Sequence, residues 1–148
     1  MSLVPALDLR PANRDVHPND PAAVARIPSN IEAEQALIGV VLYDNEAFHQ
    51  IQGLEARHFY EPFHQELWEW IATSLGTGKM ADPVMAGRFF ERSEALTEFG
   101  GIRYLADLVD RAGPATGAPS YAAEIVDMAL RRDLIRLAGE VGEGASEA

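Results

Sequence analysis

Apolar and polar positions recur at helical spacing from Ser29 onward, and no run shows the alternation of a strand bounded by hairpin turns. Ala33, Ala36, Leu37, Val40 and Val41 fall on one broad face of a first helix. Ser29 followed by Glu32 reads as its capping box, in which hydroxyl and carboxylate satisfy backbone N–H groups reciprocally. Gly39 inside that helix costs about 1 kcal/mol relative to alanine, so a close crossing by another helix is the expected compensation. Asp44-Asn45 ends the segment and caps a short one carrying Phe48 and Ile51.

Glu61-Pro62 opens the next helix, with proline where no N–H donor is needed. His64, Leu67, Trp68, Ile71 and Leu75 form its buried stripe, and Gly76 or Gly78 stops it. Asp82-Pro83 repeats the signal before Val84, Phe89 and Phe90. Gly100-Gly101 opens a segment with Ile102, Leu105, Leu108 and Val109, and the loop from Gly113 to Pro119 follows. Ser120 is the expected cap of the longest segment, which runs to about Val141. Val126, Leu130, Leu134, Leu137 and Val141 make one stripe along it, and Tyr121, Ile125, Met128 and Ile135 a second beside the first. An arc that wide needs contacts on more than one side. Two readings stand: a terminal helix packed on its own domain, or half of a helical hairpin that pairs with another subunit.

The expected fold is therefore all-α, a compact multi-helix globular domain over 27–113 and a long helical segment over 120–148. Residues 1–26, with Pro5, Pro11, Pro18 and Pro21 and no sustained period, read as a flexible leader. The 148 residues suit one domain. No apolar run approaches the ~20 residues of a membrane span, and no secretory signal is visible. Cysteine is absent, which excludes disulfides, thiolate zinc sites and cysteine nucleophiles and fits a reducing cytoplasm.

Charge narrows the partners. Arg10, Arg14 and Arg26 balance Asp8, Asp15 and Asp20 in the leader, so the formal −11 sits on the remainder. A domain that acidic repels phosphate backbones, which argues against direct nucleic-acid binding and for a partner with basic surface. The one positive cluster is Arg131, Arg132 and Arg136. It suits either the dipole at a helix end or a protein interface.

Candidate chemistry is sparse. Glu46/His49, Glu55/His58 and Glu61/His64 each repeat the i, i+3 spacing of di-iron bundles. Such bundles draw their pairs from separate long helices, whereas these crowd one stretch broken by Pro62, so histidines capping or lining a core are expected. Gly76-Thr-Gly-Lys79 is no phosphate loop, because Thr73 and Met80 stand where glycine and a hydroxyl residue are needed. Gly100-Gly101 reads as a tight turn, with Glu94 and Glu98 upstream where an anion site needs positive charge. No nucleophile elbow, HExxH motif or calcium loop occurs. Catalytic, cofactor-binding and metal-ligating residues are thus expected to be none.

Several short motifs agree in order and separation over more than a hundred residues. They are Glu32-Ala-Glu-Gln35 with Leu37 and Gly39, then Phe59-Tyr60 and His64, then Asp82. Gly100-Gly101 with Tyr104-Leu105 follows, and Tyr121-Ala122 with Ile125-Val126 and Arg132 completes the set. Together, from about Arg26 to Gly142, they resemble the N-terminal domain of the DnaB-type replicative DNA helicases. The loop from Pro114 to Ser120 departs from the family, being shorter and lacking an asparagine often found there.

The resemblance implies a non-catalytic collar that supports assembly from dimer to hexamer and recruits primase through that protein's C-terminal domain. In the family a RecA-like motor domain carries ATP and Mg, and no such motif appears in this sequence. The segment 120–148 then corresponds to the first arm of a helical hairpin whose second arm begins after about Ala148. Tyr121, Ile125, Leu130, Arg131 and Leu134 are the expected partner interface, and the cytoplasm the expected compartment. Two rivals compete: a stand-alone interaction module of loader or phage and plasmid type, and a small metal-dependent oxidoreductase using the Glu/His pairs.

Overall fold

Helix α1 (Ile31–Tyr43) is the hub of the structure, a computed structural model that describes residues 27–147, with side chains to Gly142. The leader expected over 1–26 lies outside the described residues. Glu34, Ile38, Gly39 and Leu42 are buried as well as the five apolar positions of the expected face, so α1 is enclosed on nearly every side. Its cap is Asn30, whose side-chain oxygen accepts the Ala33 N–H at 2.9 Å. This corrects the capping box expected at Ser29; both residue types cap well, and the helix takes the one a position nearer.

Around α1 stand α2 (Pro62–Gly76), α3 (Pro83–Phe89), α4 (Glu94–Glu98), α5 (Ile102–Asp110) and α6 (Ala118–Glu147). No strand occurs among the described residues, and the fold is all-α. None of the described helices is long and apolar enough to cross a membrane. Glu61 caps α2 with Pro62 in its first turn, and α2 ends as the glycines require. Gly78 adopts φ +77° while the Lys79 N–H reaches back to the Ser74 carbonyl at 2.8 Å, a Schellman stop.

Three expectations change. Helix α4 has no counterpart in the periodicity: Ser93 caps it and buries Leu96, but five residues are too few to show a period. Val84, Phe89 and Ile102 are exposed. The cause is local: α3 faces the core with Ala86 and Gly87, and a Cβ on Gly87 would meet Ile102 Cδ1 at 2.7 Å. Backbone approach takes the inner side, leaving large neighbours outside. Finally, α6 begins at Ala118, so Ser120 is not its cap, and Pro119 occupies the first turn instead.

Helix α5 crosses α1 at Gly39, as its glycine foretold. A Cβ there would overlap the Leu108 carbonyl oxygen and stand 3.2 Å from Ala112 Cα, both of them backbone groups that cannot step aside. Replacing Gly39 by alanine should therefore cost about 3 kcal/mol in urea unfolding, the upper range for overpacking. Gly139→Ala, where a Cβ meets nothing, should raise the helical signal without loss of stability.

Candidate protein–protein interface

Helix α6 changes character along its length. Ala118, Ala122, Ile125 and Ala129 follow one another at helical spacing and are buried, so small residues let α6 lie close against α1. That contact ends at Arg132. Its Nη1 donates to the Pro28 carbonyl and its Nη2 to the His58 carbonyl, both at 2.8 Å, while its guanidinium stands 5.3 Å from the Tyr60 ring centre. One side chain thus ties α6 to the chain entering α1 and to the turn before α2.

The other two arginines of the cluster are exposed and paired along the helix, Arg131 with Asp127 at 3.0 Å and Arg136 with Glu140 at 2.9 Å. Each pair contributes a few tenths of a kcal/mol. The helix-end reading of the cluster fails, because α6 continues to Glu147 and leaves no basic residue in its last turn.

Another side of the helix carries an exposed apolar seam that starts at Leu130 and continues past Arg132. Leu130, Leu134, Leu137 and Val141 lie exposed at successive spacings of 4, 3 and 4, with Leu134 57% and Val141 71% accessible and Ile135 exposed on the flank. That spacing is the seam of a two-helix coiled coil. Contiguous exposed apolar surface of this kind marks an interaction site. Among the residues expected at the interface, Leu130, Arg131 and Leu134 face outward. Tyr121 is half-buried, its ring pressed on Gly113 and Gly117. Ile125 is a correction: at 1% exposure its side chain is part of this chain's own core. Leu137 and Val141 were visible as stripe positions, and the continuing 4-3-4 spacing was the signal that would have added them.

The remaining polar landmarks converge inside the domain. The Glu34 carboxylate accepts the Tyr60 N–H at 2.7 Å and the Glu61 N–H at 3.3 Å, and lies 2.8 Å from His64 Nδ1. A carboxylate only accepts, so the network assigns a hydrogen to Nδ1. His64 Nε2 is 2.6 Å from the Tyr104 hydroxyl, which also accepts from Gln35 Nε2 at 3.3 Å. Arg111 in turn donates to Gln35 Oε1 at 2.9 Å. Burial raises the Tyr104 phenol above its ordinary value.

His64 and Glu34 are fully enclosed, and every buried side-chain polar atom among the described residues has a partner. A surface groove of about 710 Å³ touches only the Gln35–Arg111 end of this network. Two of the Glu/His pairs serve locally: His58 Nδ1 accepts the Glu55 N–H at 2.9 Å, and Glu61 caps α2 while His64 turns to Glu34.

The described residues thus form an all-α domain with a buried Glu–His–Tyr spine and a helix that carries an exposed apolar seam. The chain belongs to the DnaB-like helicase N terminal domain family, whose model matches residues 26–127. It is similar to the replicative DNA helicase DnaB of Rickettsia felis, with 33% identity over 116 residues, 78% of this chain and 24% of that protein. The chain thus spans about a quarter of that relative. Among solved structures, the N-terminal domain of DnaB helicase from Mycobacterium tuberculosis aligns with a TM-score of 0.74 and 29% identity, covering 80% of this chain and 86% of that one. A DnaB-like replicative helicase described together with its interactions with primase aligns at 0.64 and 22% identity, over 80% of this chain and 28% of that one; this likeness speaks to the fold.

The clamp at His58 has a pH signature. Burial, with a contribution from the neighbouring Arg57 charge, holds its imidazole below the ordinary 6.5. The unfolded chain then takes up the proton first, so stability is complete above pH 6.5 and declines as pH falls through that value toward the lower folded one. Protonating Nδ1 also destroys the acceptor for Glu55. The urea midpoint should fall between pH 7 and pH 5, and His58→Asn, which keeps an acceptor without a titrating ring, should show a smaller fall. An identical slope in both proteins would refute the assignment.

Proposed function

We propose that this domain is the non-catalytic collar of a replicative DNA helicase, supporting assembly of the ring toward a hexamer and recruiting primase to it. The observation that carries the reading is the exposed Leu130, Leu134, Leu137, Val141 seam on a helix whose other face is already spent on its own domain. Family membership supports it, as does the structural neighbour described with its interactions with primase.

On this reading 27–113 is the globular head and 120–148 the first arm of a hairpin, whose seam closes against a second arm or a second subunit. Primase docks through its C-terminal domain. Catalysis belongs to a separate motor domain of the parent protein, which binds ATP and Mg and works in the cytoplasm. This domain contributes by mass action: a collar with several copies of one weak site holds primase at high local concentration near the fork. Its net charge of −11 keeps it off the DNA itself.

Calorimetric titration with the C-terminal domain of primase from the same organism should give saturable binding in the micromolar range, about −8 kcal/mol. Leu134→Asp should weaken that binding, or the domain's self-association, by about tenfold or more. Its circular dichroism should stay helical. Unchanged association in the variant, or collapse of the helical signal, would remove Leu134 from the interface.

A further inference from the structure

A second concentration of exposed apolar side chains lies away from α6, in the groove between the C-terminal half of α2 and helix α3. Trp70, Met80, Met85 and Phe89 line it, and Phe89 and Met80 are 65% and 66% exposed. The groove holds about 660 Å³, and no residue of α6 contributes to it. Phe89 stands edge-on to the buried Phe90 at 4.8 Å and 5.9 Å from Trp70, which itself lies 6.2 Å from Phe90, so the three rings form one cluster. Phe89 and Trp70 thus form an aromatic ridge beside the groove.

Charge divides the two flanks of that ridge. On the groove side the only charged lining residues are Lys79 and Arg88, and neither is in an ion pair among the described residues. On the far side a smaller hollow of about 350 Å³ is lined by Glu66 and Glu69. Two uncommitted cations therefore stand beside exposed aromatic and methionine side chains on a chain of net charge −11. Methionine adapts to varied apolar partners, and Trp and Arg supply the strong contacts of interfaces. A complementary occupant carries apolar anchors and carboxylates.

We propose that the α2–α3 groove binds an acidic segment of a partner protein, with aromatic or leucine anchors seated on Trp70, Met85 and Phe89 and carboxylates meeting Lys79 and Arg88. The carboxylates of Glu66 and Glu69 repel such a segment from the far side, which fixes the flank it occupies. Two cations within an acidic surface do not make the extended basic track that a nucleic-acid backbone needs. This site is independent of α6, so one collar domain can hold two partners.

The test is to pan the domain against a library of peptides of about 15 residues, the length of a groove-bound helix or strand, and to measure enriched peptides by fluorescence anisotropy. Enriched sequences should combine Asp or Glu with Phe, Trp or Leu. The double variant Lys79→Glu/Arg88→Glu and the single variant Phe89→Ser should each weaken binding by about tenfold or more. Raising salt from about 0.05 to 0.5 M should weaken it too, while Leu134→Asp should leave it unchanged. Phe89 is an exposed side chain, so the variant should keep the helical signal of the parent. Enrichment of neutral or basic peptides, or indifference to both groove variants, would overturn the proposal. So would equal binding of oligo(dT), or self-association in sedimentation that Phe89→Ser abolishes, which would assign the groove to a second copy.

Discussion

A carboxylate removed from water costs several kcal/mol unless hydrogen bonds and a partner satisfy it, and the packing of this domain is arranged around one such group. Glu34 is 1% exposed on the central helix, where it accepts from His64 and from the backbone of Tyr60 and Glu61. Those contacts tie α1 to the start of α2. His64 carries the connection to Tyr104 on α5, whose ring lies within 5° of parallel to the imidazole. Three helices are thereby held in one register by a chain of groups, each depending on the next. Removing one member leaves a neighbouring buried group short of a hydrogen-bond partner, which typically costs about 1–3 kcal/mol.

The consequence for association lies at α6. With α1 fixed, the small residues Ala118, Ala122 and Ala129 lay the first half of α6 against it, and Ile125 fills the remaining core space. Arg132 marks the end of that attachment by engaging two backbone carbonyls that belong to other elements. The apolar side chains beyond it, Leu134, Ile135, Leu137 and Val141, are exposed. A rigid head and an uncovered helix thus come from the same packing, and the boundary between them is a single side chain.

Much of this was legible in the sequence, and the failures have specific causes. The all-α class, the Gly39 crossing, the caps at Glu61 and Asp82 and the glycine stops follow from local chemistry, which the structure keeps. Glu34, Gln35, His64, Tyr104 and Arg132 were recognisable as landmarks, but nothing local showed that they meet; Gln35 and Tyr104 are 69 residues apart. An acidic residue in the first turn of a helix ordinarily faces water and complements the dipole, so the burial of Glu34 had no signal in periodicity. Ile125 was misassigned for a related reason. Two adjacent apolar stripes on α6 do not say which one the domain itself consumes, and only the position of α1 decides it. Helix α4 was too short for a pattern, and α3 turned its smallest residues inward.

Helix α6 is spent on the domain along its Ala118–Ala129 face, and on the proposed reading its exposed seam past Arg132 is reserved for partners. Amide hydrogen exchange along α6, in the free domain and with the C-terminal domain of primase added, tests this most directly. Amides from Ile125 to Arg132 should be protected in both states, and those from Leu134 to Val141 should exchange rapidly in the free domain and slow when the partner binds. Full protection beyond Leu134 in the free monomer, or protection gained elsewhere while the seam stays open, would contradict the account.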